Sequence, residues 1–219
     1  MRERLQGVAV CLVGLGTIAA AFVTYDGRGY HRPTDAGVAL SAVVEPTPAR
    51  SSARPVGTHA APTRPAEAHA PHARPAVPTR VGLPAISVDA PVVPVTVHAG
   101  ALDIPPDPKT LGWWSGGARA GSAHGSVVIV GHVDDWKAGR GALYRLEAVP
   151  MGSTVSVTTA RGDVRYRIVG RRVYDKHALP TSVFARDGAP RLVLITCGGA
   201  FDTTTHHYTD NVVVYGVPI

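Results

Sequence analysis

The chain has 219 residues, 45% hydrophobic and 17% charged, with a formal net charge of +6. Two cysteines cannot build a disulfide framework or a four-cysteine zinc site. No dense basic run with interleaved aromatics points to nucleic acid. The 19 prolines and 24 glycines gather unevenly, which excludes one continuous core over the whole length.

Residues 7–23, GVAVCLVGLGTIAAAFV, carry Thr17 as their only polar side chain. As a helix they would reach ~25 Å, the low end of a bilayer span. Arg2 and Arg4 precede them, so an uncleaved anchor would keep the N-terminus inside and the remainder outside. The rival reading is a cleaved signal peptide, with the small residues Ala19–Ala21 near its end. In either case residues 1–25 form a targeting or anchoring segment, in which Cys11 is a small buried hydrophobe.

Residues 26–79 repeat Pro among Ala, Thr, Arg and His, with no aromatic after Tyr30. Such a stretch cannot bury enough apolar area to offset chain entropy, so it is expected as a disordered, polyproline-rich spacer. His31, His59, His69 and His72 fall in it and are expected to be solvated linker residues rather than metal ligands.

From residue 80 the pattern changes to strands. SVVIVGH (126–132) and RLVLITCGG (191–199) are continuous apolar runs, expected as buried strands. GSTVSVTTA (152–160) and VRYRIVGRRVYD (164–175) alternate like half-exposed strands, and NVVVYGVPI (211–219) closes the chain. One short helix is expected within 134–149. About eight strands in 140 residues predict an all-β fold, a small closed barrel with minor helix over 80–219.

Cys197 lies at the end of an apolar strand, before Gly198-Gly199, and outside the apolar N-terminal run no second cysteine exists to pair with it. In an oxidising compartment it would therefore be a free thiol without an intramolecular disulfide, and a nucleophilic role becomes the reading to test. A nucleophilic thiol needs a base or cation beside it. His132 ends the other buried strand, so two strand ends on one barrel rim would bring the pair together. His98, His124 and the His206-His207 pair are weaker candidates.

The wording around both residues resembles the sortases, cysteine transpeptidases of Gram-positive cell surfaces, and most closely their actinobacterial class F group. The similar stretches are LDIPPDPKTLGWW (102–114), SVVIVGHVDD (126–135), ALYRLEAVPMGSTVSV (142–157), LPTSVFA (179–185), RLVLITCGGAFD (191–202) and HYTDNVVVYG (207–216). The resemblance implies an eight-stranded barrel behind a membrane helix and a linker. It makes Cys197 the acyl-thioester nucleophile and His132 the proton donor and acceptor. It further implies LPxTG-like sorting-signal peptides as substrates, a peptidoglycan-precursor amine as acceptor, and a membrane-anchored enzyme facing the cell wall. No acidic cluster has EF-hand spacing, so neither a metal nor another cofactor is expected.

One departure stands out. The resemblance calls for an Arg on the strand after the cysteine, but no Arg or Lys follows Cys197. His207 or Thr209 stands in the corresponding stretch and becomes the candidate oxyanion or substrate support, with an Arg from an earlier loop as the alternative. The missing Arg also keeps open a non-catalytic or weakly active surface-binding protein on a decayed barrel. An L,D-transpeptidase lacks support, because TCGG does not match that group's Ser-x-Gly-Cys-Arg wording.

Overall fold

The computed structural model describes residues 34–38 and 74–219. The apolar run at 7–23 and most of the 26–79 stretch lie outside the described residues. Among those described, no helix is long and apolar enough to cross a membrane.

Thirteen strands follow in chain order: β1 (Ala36–Gly37), β2 (Pro78–Leu83), β3 (Val88–Val95), β4 (Val97–His98), β5 (Ala101–Leu102), β6 (Leu111–Trp114) and β7 (Ser126–Val130); then β8 (Asp134–Asp135), β9 (Gly139–Arg140), β10 (Thr154–Thr159), β11 (Gly162–Asp175), β12 (Arg191–Asp202) and β13 (His207–Pro218). The main sheet runs β1-β11-β10-β2-β3-β6-β7-β12-β13, and a further β11–β13 pairing joins its ends. Without β1, eight strands therefore form a closed barrel. The pairs β4–β5 and β8–β9 are separate two-stranded hairpins.

Apolar side chains of alternating direction build two cores. Val127, Ile129, Leu192, Leu194, Val212 and Val214 belong to one cluster with Leu111 and Leu143. Their sequence neighbours Val128, Val130, Val193, Ile195, Val213 and Tyr215 belong to a second, packed against Trp114, Leu179 and Phe184. The central strands β7, β12 and β13 are thus apolar on both faces, which is why they read as continuous runs. By contrast β10 buries Val155 and Val157 and turns its intervening residues outward.

The prolines of β3 have a topological explanation. Residues 88–91 pair with β2, and residues 92–95 pair with β6 in parallel. Each half of β3 is an edge on its other side, so Pro91 and Pro94 need not donate to a second neighbour. The helix expected in 134–149 is replaced by the β8–β9 hairpin and a single 3-10 turn, Leu146–Ala148. Its apolar residues lack a sustained helical stripe, and Gly139 holds a left-handed φ of 76° that closes the hairpin.

Within the stretch read as spacer, Thr34–Val38 lies along β11, with Ala36 opposite Arg171 and Gly37 opposite Gly170. Arg172 donates through Nη1 to Ala36 O and through Nη2 to Val38 O, both at 2.8 Å. Asp35 Oδ1 accepts the Val173 N–H at 2.9 Å. A Cβ on Gly37 would stand 2.0 Å from Val169 O, so this close approach requires glycine. Thr34–Val38 bind here through backbone and arginine contacts, a signal that hydrophobic patterning does not carry.

Residues 74–219 contain the whole eight-strand barrel, so a chain beginning at Arg74 should fold cooperatively. Losing β1 and its bonds to Arg172 should cost about 1 kcal/mol, a fall of about 2–4 °C in Tm against a chain beginning at His31. Arg172→Ala should lower the melt of the longer chain and leave the shorter one nearly unchanged. Equal melting of the two chains would mean that β1 adds no stability.

Candidate active site

The position of Cys197 follows from the pairing of β7 with β12. These strands run parallel, with Ser126 opposite Arg191 through to Val130 opposite Ile195. Two bonds extend the register: Gly131 N–H donates to Ile195 O at 3.1 Å, and Thr196 Oγ1 donates to Gly131 O at 2.9 Å. Continuing the same register two residues past Val130 and Ile195 would set His132, just beyond the end of β7, opposite Cys197, midway along β12, at a strand spacing of about 5 Å. Cys197 alternates with Val193 and Ile195, on the face of the second cluster rather than the first. Both His132 and Cys197 are half-buried.

The glycines beside these two residues have packing reasons. A Cβ on Gly131 would stand 2.4 Å from Leu111 Cδ2, and one on Gly198 would stand 2.6 Å from Val212 Cγ2. Each strand end therefore turns its bare backbone into the inner core and its reactive neighbour outward. Gly199 has φ +87°, where the β12–β13 register shifts between Gly198 and Phe201. This bulge bends the strand directly after Cys197, and a Cβ there would meet Thr209 Oγ1 at 2.3 Å and Asp210 Oδ2 at 2.7 Å.

The imidazole of His132 is oriented by a loop that sequence reasoning did not single out. His132 Nε2 is 2.9 Å from Pro105 O. A carbonyl only accepts, so Nε2 carries the hydrogen and Nδ1 holds the free lone pair. The 103–110 loop is itself fixed: Asp107 accepts from Thr110 Oγ1 at 2.7 Å and from the Lys109 N–H at 3.0 Å. Ala142 N–H donates to Pro108 O at 2.7 Å, tying this loop to the segment after His132. The motif LDIPPDP carried the signal in sequence, but not the information that one of its carbonyls binds the imidazole.

Two carboxylates near His132 sit below their ordinary range. The Thr110 hydroxyl, then the Lys109 amide, lower Asp107. The amides of Ala138 and Lys137 lower Asp135. In both, attraction to His132 is a smaller cause in the same direction. On the other side of the site, Tyr208 donates its hydroxyl to Asp134 Oδ2 at 2.5 Å, joining the β12–β13 hairpin to the segment after His132.

No hydrogen bond joins the imidazole to the thiol among the described residues. The partner of Cys197 is instead Lys176, whose Nζ lies 2.9 Å from Sγ. Lys176 is the first residue past the β11–β13 ladder, which ends with Asp175 opposite Asp210. The sequence points to His207, Thr209 or an Arg from an earlier loop for this role, not to a lysine; nothing in the local wording marks Lys176.

The two residues expected to replace the missing Arg contribute differently. His207 is exposed on the β12–β13 hairpin, paired with Asp202. Thr209 is also exposed, and its backbone carbonyl accepts the Lys176 N–H at 2.8 Å. Of the weaker histidines, His98 is exposed and bonded through Nδ1 to Asp103 at 2.6 Å, while His124 is exposed in the approach to β7. His206 sits at φ 56° with its ring 6.4 Å from that of Phe201. Arg191 begins β12, six residues before Cys197, and donates to Ser126 Oγ at 2.9 Å and to Ser182 O. Among the described residues no cluster of His, Cys, Asp or Glu has the arrangement of a metal site.

A closed barrel with a histidine just past one strand and a cysteine on its parallel neighbour defines a class, and comparison with known proteins gives the family. The Sortase domain model matches residues 81–219, so the chain belongs to the sortase family of cysteine transpeptidases. Comparison with curated proteins finds no match. Among solved structures the chain is similar to sortase C2 of pilus island 1 from group B Streptococcus, at 23% identity and a TM-score of 0.51 over 64% of this chain and 72% of that one. It is also similar to sortase C-1 from Actinomyces oris, at 18% identity and TM-score 0.52 over 64% and 72%. Sortase A from Corynebacterium diphtheriae aligns at 19% identity and TM-score 0.51 over 66% and 61%. At these identities the likeness is one of fold.

The depressed Asp107 and Asp135 give a pH test of the loops around His132. Their stabilisation is present above the ordinary carboxylate range near pH ~4 and is lost as pH falls through the lower native values. Amide exchange at residues 107–110 and 135–138 should therefore accelerate in acid while β12 and β13 stay protected. Asp135→Asn should make exchange at Lys137 and Ala138 insensitive to acid over this range.

Proposed function

We propose that this sortase cleaves an LPxTG-like sorting signal of surface proteins and transfers the acyl group to a peptidoglycan-precursor amine. We assign it to the actinobacterial class F group, with residues 1–25 as a membrane anchor and the barrel facing the cell wall. The observation that carries the reading is the parallel register of β7 and β12, whose continuation past Val130 would bring His132 opposite Cys197 in a sortase barrel.

In the proposed reaction the Cys197 thiolate attacks the scissile carbonyl carbon, and the C=O π pair moves onto oxygen. Collapse of this adduct expels the amine, which takes a proton from the His132 imidazolium, and a thioester remains. The incoming amine then gives a proton to neutral His132 as it attacks the thioester, and Cys197 leaves as the thiolate. With Nε2 committed to the Pro105 carbonyl, Nδ1 is the nitrogen available to take and return that proton.

Cys197→Ala should abolish the thioester that mass spectrometry detects after incubation with LPxTG-like peptides. His132→Ala should lower turnover by about 10²–10⁴ without changing the melt. His207→Ala and Thr209→Ala should turn over at nearly the parental rate, since the one side chain is exposed and the other residue acts through its carbonyl. A parent protein that forms no thioester with any sorting-signal peptide would favour the surface-binding alternative.

A further inference from the structure

We propose that Lys176 is a catalytic residue: its ammonium holds Cys197 as the thiolate and supplies, from just past the end of β11, the cation missing from β13. Its role as an oxyanion donor rests on the transpeptidase reading above; its role toward the thiolate does not.

The contact is direct, with Lys176 Nζ 2.9 Å from Cys197 Sγ. An ammonium has three hydrogens and no lone pair, so it can only donate, and a sulfur receiving that bond is favoured as the anion. Both residues are half-buried, which screens the attraction less than at an open surface.

The lysine is also held in place. Its N–H donates to Thr209 O at 2.8 Å, and its carbonyl accepts from Asn211 Nδ2 at 3.2 Å. Asn211 is 8% exposed and is the residue paired with Cys197 across β12–β13. The strand that positions the nucleophile therefore also positions the cation, and Asn211 serves as the positioning residue between them. Of the nearby basic groups, Arg171 is engaged on Thr34 O and Arg172 on Ala36 O and Val38 O, while His177, next in the chain, is exposed.

During acylation the negative charge passes from sulfur to the former carbonyl oxygen. The sulfur lone pair forms the S–C bond, the C=O π pair goes to oxygen, and Lys176 follows the charge by hydrogen bonding without losing a proton. One ammonium can serve both positions because it has three donors on a flexible stem.

The test is the reaction of Cys197 with iodoacetamide at neutral pH, read beside the thiolate's ultraviolet absorbance. An unassisted thiol is only a few per cent ionised at that pH. Lys176→Met should therefore slow labelling by about tenfold or more and abolish the absorbance, with the thermal melt as the control for folding. Lys176→Gln keeps a hydrogen-bond donor without the charge and should behave the same way; it also replaces the Met variant if that one folds poorly. Lys176→Arg should label within about threefold of the parent, since the charge is kept. Asn211→Ala should fall between the parent and Lys176→Gln. Parental labelling and absorbance in both the Met and Gln variants would overturn the proposal. Lysine-dependent labelling in a protein that never processes a sorting-signal peptide would instead overturn the transpeptidase reading and leave the thiolate pairing standing.

Discussion

The site depends on one parallel register. Pairing of Val130 with Ile195 fixes which residues leave the end of β7 and which stand beside them on β12. Apolar patterning alone would not fix it, because both strands are apolar on both faces and a slipped strand would exchange one hydrophobic side chain for another. Volume is what separates the alternatives. A Cβ at Gly131 would stand 2.4 Å from Leu111 Cδ2 and one at Gly198 2.6 Å from Val212 Cγ2, so a slipped register that put a larger residue there would have to displace those side chains. Thr196, 4% exposed, adds a polar constraint by donating to the Gly131 carbonyl. An unmade hydrogen bond at such a site would cost about 1–3 kcal/mol.

From that register the surroundings of the two reactive residues are built by different elements. The imidazole takes its orientation from Pro105, in a loop capped by Asp107. The thiol takes its cation from the end of β11, and β13 supports that cation through Thr209 and Asn211. The bulge at Gly199 directs the strand away immediately after Cys197, and Tyr208 ties the resulting hairpin back to Asp134. Barrel closure through the β11–β13 pairing is thus a condition of the site as well as of the fold: it brings Lys176 beside Cys197, 21 residues away in the chain.

The short strand β1 shows the same principle at the opposite edge of the sheet. Its few residues bury little, and what binds them is the backbone edge of β11 together with two arginine side chains. β-addition of this kind depends on matching donors to acceptors rather than on composition, so a region with the makeup of a spacer can contain a segment that pairs.

The all-β class and the two buried central strands were legible in the sequence, since the short unbroken apolar runs at 127–130 and 192–195, each followed by glycine within a few residues, have few other uses. So was the candidate pair Cys197 and His132, through strand-end placement and the wording they share with sortases. The two prolines of β3 are compatible with a strand whose halves pair on opposite sides, which only the pairing shows. What the sequence could not show was contact between residues far apart along it. Which carbonyl meets the imidazole, and which cation meets the thiol, depend on how loops and strand ends converge once the barrel closes. Local patterning records which way a side chain faces along its own strand; only the tertiary structure decides what stands opposite it.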